Sequence, residues 1–337
     1  MDSSALPQND AEKPKGFIIK MFENQVLNAL FYIFIFPGFI FLFILSLAVE
    51  FVDRKLYARM QTRQGPPWYQ PFADFIKLLS KETIIPKDAD AAIFKILPLV
   101  ACTAAVTAFI FMPVFNSTSL LAFPGDIVAV FYILTIPTLT YFLGGWYSRS
   151  LYSLIGSTRV LTQLFSYEVP LMMAVLAPGI LASSWTFAEV INFYGAHPWL
   201  FVVNIISFAV ALVAVQGKLE RVPFDTPEAE TEIVAGSFTE YSGQLYGYFR
   251  LAMNIQTISA VTLLAAVFLP FGFDLPLWQS LLIYLAKIFG IIFILAVLKT
   301  IFARVRMDQL VKFCWQILTP LALLQILVNI ILKAAVL

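Results

Sequence analysis

Apolar residues occur along this chain in long unbroken stretches divided by short polar segments, not in the alternating or one-faced patterns of soluble strands and helices. A helix needs about 20 mostly apolar residues to cross the hydrocarbon core of a bilayer. The stretches that meet this length are Leu27–Val49, Ala91–Phe115, Ile127–Gly145, Tyr167–Phe187, Trp199–Gln216, Leu251–Phe271, Leu277–Ile301 and Trp315–Ala335. No internal repeat or low-complexity segment is present. The expected fold class is all-α: a polytopic membrane protein with about eight transmembrane helices over residues 26–337, preceded by a polar tail over residues 1–25. Met1–Gly16 contains no apolar run, so the tail is not expected to be a cleaved signal peptide.

The first loop holds a segment of another kind. In Pro71–Glu82, Phe72, Phe75, Ile76 and Leu79 fall on one helical face while Asp74, Lys77 and Lys81 fall opposite. With proline in its first turn, this reads as an amphipathic helix over about 71–82. It lies in the membrane interface or packs on a partner subunit; the pattern suits both.

Charge orients the bundle. Lys and Arg total 22, and seventeen of them fall in or beside the first, third, fifth and seventh loops, with none in the second, fourth and sixth. Positively charged loops stay cytoplasmic. The odd loops are therefore expected inside, both termini outside, and the protein in the cell membrane. Lys13, Lys15 and Lys20 in the tail oppose this, but the asymmetry between alternating loops outweighs them.

Composition narrows the function. The chain is 60% hydrophobic and 13% charged, with net charge +1. Soluble domains carry about 25% charged residues, and a nucleic-acid binder shows a basic surplus. Both classes are excluded. The only cysteines are Cys102 and Cys314, and His197 is the single histidine. These cannot ligate an iron–sulfur cluster or a nickel–iron site, so no cofactor or metal is expected on this chain and any redox metals belong to partners.

Candidate chemistry concentrates in the fifth loop, about residues 217–250. Glu220, Asp225, Glu228, Glu230, Glu232 and Glu240 lie there, with Arg221 the one opposing charge inside the run. A short helix beginning near Pro227 would stack Glu228 and Glu232 one turn apart. Crowded carboxylates resist joint ionisation and titrate together, which suits a proton relay; the alternative is a solvated acidic loop. Lys287 lies near the middle of the seventh stretch, where a cation costs about 2.5–3.5 kcal/mol on insertion scales. Glu168 begins the fourth stretch ahead of Pro170 and Pro178, and Asp126 begins the third. These three are ion-path candidates or structural ion pairs, and Arg159 is a candidate partner for Glu168. His197 reads as a plain interfacial residue.

These segments resemble the NADH dehydrogenase subunit 1 family, whose relatives also serve in membrane-bound hydrogenases and related energy-converting reductases. The resemblance is carried by Glu50-Phe-Val-Asp-Arg54 with Arg59-Met-Gln-Thr-Arg-Gln-Gly-Pro66, by Pro71–Glu82, by Ser166-Tyr-Glu-Val169, and by Arg221–Glu230 through Glu240-Tyr-Ser242. It implies a subunit at the junction of the peripheral and membrane arms of a complex I-type oxidoreductase. In quinone-using members that subunit forms much of the quinone chamber and starts a proton path at its acidic loop. The six loop carboxylates and Glu168 match the family's acidic positions, and Arg54, Arg59 and Arg63 its first-loop arginines. With Asp74 and Lys77 these arginines are expected to dock the peripheral arm or line an acceptor cavity.

The chain departs from quinone-type members in two places. Arg250-Leu-Ala-Met-Asn254 has no carboxylate where those chains run towards Ala-Glu-Tyr, and Gly145-Trp-Tyr-Ser-Arg-Ser150 replaces Gly-Trp-Ala-Ser-Asn-Ser. Both favour the hydrogenase or related reductase branch, with a quinone chamber as the alternative. The implied partners are peripheral redox subunits bearing iron–sulfur clusters, with nickel–iron in the hydrogenase case, and membrane subunits including antiporter-like ones. H⁺ and Na⁺ remain the candidate pumped ions. A stand-alone transporter is the rival of another class and predicts paired repeats, which the sequence lacks. A pure anchor leaves Lys287 and the carboxylate loop unexplained.

Overall fold

The computed structural model describes residues 30–119 and 121–336, and every regular element among them is helical. The polar tail expected over residues 1–25 lies outside the described residues. Contacts divide the chain after Phe41. The first unit, from Leu30, is an apolar helical stretch ending near a cis Phe36–Pro37 peptide. The second unit carries all the charged groups discussed below.

The helices are α1 (Phe39–Met60), α2 (Gln70–Ser80), α3 (Ala91–Ile110), α4 (Asp126–Ile133), α5 (Thr135–Tyr147), α6 (Leu151–Ala182), α7 (Phe187–Ala196), α8 (Leu200–Val203), α9 (Ile205–Lys218), α10 (Glu230–Ile233), α11 (Gly243–Phe268), α12 (Leu277–Ile301), α13 (Met307–Phe313) and α14 (Thr319–Val336). Seven helical runs are long and apolar enough to cross a membrane, and α9 is a shorter apolar helix. That agrees with a bundle of about eight spans. The fifth is the short one because Asn204 interrupts it. Its side chain donates to the Tyr194 hydroxyl at 2.6 Å, and its Oδ1 accepts from Asn329 at 2.8 Å.

Two boundaries differ informatively from the hydropathy reading. The fourth span starts at Leu151, not Tyr167, so most of the expected third loop is helix. Ser153, Ser157, Thr158, Thr162, Gln163 and Ser166 lower the hydropathy there. Yet the Ser157 and Ser166 hydroxyls bond carbonyls one turn back, at 2.7 Å each, so a polar sequence remains compatible with an enclosed helix. Likewise α1 runs on to Met60, placing Glu50, Asp53 and Arg54 on the first span itself.

α11 is the most enclosed element: residues 255–268 are buried without a break. Its polar groups are paired inside the bundle. Gln256 accepts from Tyr141 at 2.9 Å and donates to Thr138 at 3.1 Å, and Ser259 donates to the Ala105 carbonyl at 3.1 Å. The amphipathic helix α2 packs on the start of α11, where Gly247 leaves room for Leu78, while Ile76 stays exposed. At the same end the short 3₁₀ turn Gly236–Phe238 is pressed against α5 and α6. A Cβ on Gly156 would run into the backbone of Gly236 and Ser237, and one on Gly145 would meet Ser157 and Ser237.

Candidate functional site

A cavity of about 260 Å³ sits at the odd-loop end of the bundle, enclosed by α1, α9, α11, α12 and the fifth loop. Its wall combines acidic and basic side chains from elements far apart in sequence. On α1, Glu50 and Asp53 lie one turn apart and both are buried. Glu50 pairs with Arg54, lies 3.6 Å from Arg250, and accepts from Asn254 at 2.5 Å. Arg54 bridges outward to Asp74 on α2 at 3.0 Å, and Gln70 holds the other Asp74 oxygen at 2.8 Å. Asp53 is approached by Arg221 at 3.4 Å and Lys299 at 3.8 Å. Arg221 also donates to Thr257 on α11, at 3.4 Å.

The fifth loop does not present its carboxylates as one crowd. Asp225 is held by Arg304 and Glu232 by Arg159, at 2.6 and 2.7 Å. Glu232 is exposed. Only a four-residue helix forms, Glu230–Ile233, so Glu228 precedes it and the expected stacking of Glu228 on Glu232 does not occur. Glu228 instead lines the cavity with Glu220. Glu220 is buried, and neither carboxylate oxygen has a hydrogen-bond partner among the described residues. Burial, and after it the neighbouring Glu228 charge, push Glu220 well above the usual carboxylate range. Burying an ion without a partner costs several kcal/mol, so a group so placed takes up a proton instead. Glu220 also adopts a positive φ of 50°, a conformation that costs a non-glycine residue of order 1–3 kcal/mol.

Deeper in the bundle, Glu168 pairs with Lys218 at 3.6 Å, and Lys218 lies over the rings of Tyr167 and Phe131. Arg159 is therefore not the partner of Glu168; it serves the fifth loop through Glu232 and the Thr226 carbonyl, at 3.2 Å to the latter. Gln163 completes that attachment by donating to the Gly217 and Phe224 carbonyls at 2.7 and 2.8 Å.

The other candidates lie apart. Lys287 is buried and bonds the Phe271 carbonyl, with its ammonium 4.5 Å from the Phe271 ring and 4.3 Å from the Phe273 ring. It thus faces the turn joining α11 to α12 at the even-loop end, away from the charged cavity. Asp126 is at that end too, accepting the Phe187 N–H at 2.9 Å and joining the start of α4 to α7. His197 ends α7, tilted on Phe193. Arg59, Arg63 and Lys77 are exposed at the odd-loop end, and Glu240 is half-buried just before α11. Glu230 begins the short helix. Cys102 and Cys314 are both buried, on separate helices.

Sequence reasoning passed over Glu50, Asp53, Lys218, Arg250, Asn254 and Lys299 as site residues. The signal was present for α1: carboxylates at i and i+3 within the last turns of an apolar run are rarely left facing lipid. For the partners on α9, α11 and α12 no local signal exists, because tertiary packing alone brings them to the cavity.

A family model described as NADH dehydrogenase matches residues 32–330. The chain belongs to this family. It is similar to a membrane subunit of the NADH-quinone oxidoreductase of Syntrophotalea carbinolica, at 34% identity over 91% of this chain and 97% of that one. It is likewise similar to NADH-quinone oxidoreductase subunit 8 of Thermus thermophilus, at 36% identity over 84% of this chain and 81% of that one. Among solved structures, a chain of the membrane-bound sulfane sulfur reductase, an archaeal respiratory membrane complex, matches with TM-score 0.77 and 25% identity. The match covers 86% of this chain and 96% of that one. The family assignment makes the chain a membrane subunit of a complex I-type assembly, as the sequence motifs implied.

Proposed function

We propose that this subunit receives the peripheral redox arm on its odd-loop face and couples electron transfer there to ion translocation. One observation carries the reading: a buried, charge-lined cavity into which α1, α9, α11, α12 and the fifth loop all contribute ionisable groups. Burial of so many charges is a poor way to gain stability. Its cost is understandable where charge is redistributed during turnover. The odd loops face the cytoplasm in this reading, and both termini lie outside. Iron–sulfur clusters, with nickel–iron in the hydrogenase case, reside on partners, and this chain supplies no autonomous redox centre.

The electron acceptor has two readings. The departures at Arg250–Asn254 and Gly145–Ser150 support a hydrogenase-type or related reductase branch. In the structure Met253 and Asn254 line the cavity without adding a carboxylate, and the charge comes from Glu50 on α1. The quinone reading is supported by the names of the curated relatives. A pocket of about 400 Å³ beside α2 also has the mixed wall a quinone needs, with Phe75, Leu78 and Leu251 facing Arg54, Arg250 and Asn254. The purified native complex separates them. Its bound metals and its turnover with a soluble quinone, with protons and with polysulfide are measured. Activity confined to quinone removes the reductase branch, and absence of quinone turnover removes the quinone reading. Recovery of this chain alone, free of redox partners, overturns the proposal as a whole.

A further inference from the structure

A second cavity at the odd-loop end, of about 310 Å³, is built for another kind of molecule. It opens where α9, α12 and α13 meet, and its wall is made by Val213, Phe224, Leu298, Phe302, Val305 and Phe313. The Phe224 and Phe313 rings stack across it with centroids 6.3 Å apart. Polar atoms contribute almost nothing. The Gln216 amide that reaches it is spent on the Val222 carbonyl at 2.6 Å, and Gln309 Oε1 accepts from the Arg306 N–H at 3.3 Å. No charged side chain lines the wall, so nothing inside would hold a polar headgroup, and the occupant of the cavity itself is a hydrocarbon chain.

The rim differs from the wall. Gln309 and Phe313 lie one turn apart on α13, and Arg306 and Lys312 fall on either side of that row. Arg306 and Lys312 are both exposed, and neither forms an ion pair with a carboxylate among the described residues. Arg304, next along the chain, is by contrast committed to Asp225. Two uncommitted cations thus stand over an apolar slot at the level where span ends meet the headgroups. Long basic side chains reach outward to phosphates in this position while their stems lie on apolar surface.

We infer that this cavity is a binding site for an anionic phospholipid, with one acyl chain between Phe302 and Phe313 and the phosphate held by Arg306 and Lys312. Phe224 gives the site a consequence, because it belongs to the fifth loop and is followed directly by Asp225. A lipid seated there braces the base of that loop from the membrane side. The inference stands whether or not the coupling role proposed above is correct.

The test uses the purified complex in nanodiscs doped with photoactivatable phosphatidylglycerol or phosphatidylcholine of identical acyl chains, with labelled peptides located by mass spectrometry. Residues 298–313 are expected to take label from phosphatidylglycerol in preference to phosphatidylcholine. Each basic residue near the surface contributes about fivefold to anionic-lipid binding. Arg306→Gln with Lys312→Gln should therefore reduce phosphatidylglycerol labelling about thirtyfold. Val213→Trp, which fills the slot from α9, should abolish labelling by both lipids. Equal labelling of the unaltered complex by the two lipids overturns the inference. So does labelling that survives both sets of changes, or cross-linking of this segment to a protein subunit in place of lipid.

Discussion

Arg304 grips Asp225 with two hydrogen bonds, of 2.8 and 2.6 Å, across 79 residues of sequence. The guanidinium thereby ties the loop after α12 to the fifth loop, and the Val305 N–H adds a bond to the Pro223 carbonyl at 3.0 Å. Asp225→Asn removes the charge of this clasp. The pair is partly exposed, so the loss in stability should be modest, about 1 kcal/mol. The local effect should be clearer, with faster tryptic cleavage after Arg304 and Arg306 in the assembled complex. An unchanged cleavage rate would show that Arg304 contributes nothing to holding the segment.

Glu220 and Glu232 are expected to behave as opposites. Glu220→Gln replaces a buried carboxylate that holds its proton above the ordinary range, and coupled turnover should fall at least tenfold while reduction of an artificial acceptor by the peripheral arm persists. Glu232 is exposed and paired only with Arg159, so Glu232→Gln should reduce coupled turnover by less than twofold. Equal effects of the two variants would remove Glu220 from the coupling path.

The same group sets a pH dependence. Its folded-state pKa lies above the unfolded value, so the folded protein holds a proton that the unfolded chain has lost once pH exceeds the ordinary carboxylate range. Stability then declines as pH rises from that range towards the folded pKa. Glu220→Gln cannot lose a proton and should show a flatter melting profile between pH 5 and 8 than the unaltered complex (a window of about three units, set by the direction of the shift). Parallel profiles would mean that Glu220 is ionised and partnered in the assembly.

Lys287 tests whether depth in a span is enough to imply transport. Its contacts are a backbone carbonyl and two aromatic faces. Lys287→Met is expected to leave the ratio of ions moved to electrons transferred unchanged, with at most a loss in assembled complex. A fall in that ratio would restore Lys287 to the ion path.

Topology is open to cysteine labelling, since both native thiols are buried and the background should be low. Thr118→Cys, His197→Cys and Asp274→Cys are expected to react from outside intact cells, and Arg63→Cys and Arg306→Cys only after permeabilisation. The reverse pattern would place the charged cavity on the external face and defeat the docking proposal.

The bundle was legible in the sequence because lipid demands long apolar runs, and α12 was delimited to the residue by that demand alone. The start of α6 was not, because serine and threonine hydroxyls satisfied within a helix look to a hydropathy scale like a loop. In the site, the acidic loop announced itself by local density. Its spatial meaning did not follow, since Arg159, Lys299 and Arg304 come from the far side of long helices and convert a run of like charges into separate pairs. What survives of the crowding is one neighbourhood, Glu220 with Glu228, and it was hidden among equivalents.

The meeting of Gly156 with Gly236 limits how any signal leaves this region. Backbone lies on backbone there, and Gln163 and Arg159 fasten the same limb from the α6 side. A hinge needs slack, and this seam has none. A stroke of the whole loop, like a piston, would have to tear open the tightest joint in the bundle. The parts that are free to change are light ones: a proton's address, the tilt of a side chain, a water file. Long-range work done from here is then electrical in character, with the scaffold acting as an insulator that stays still.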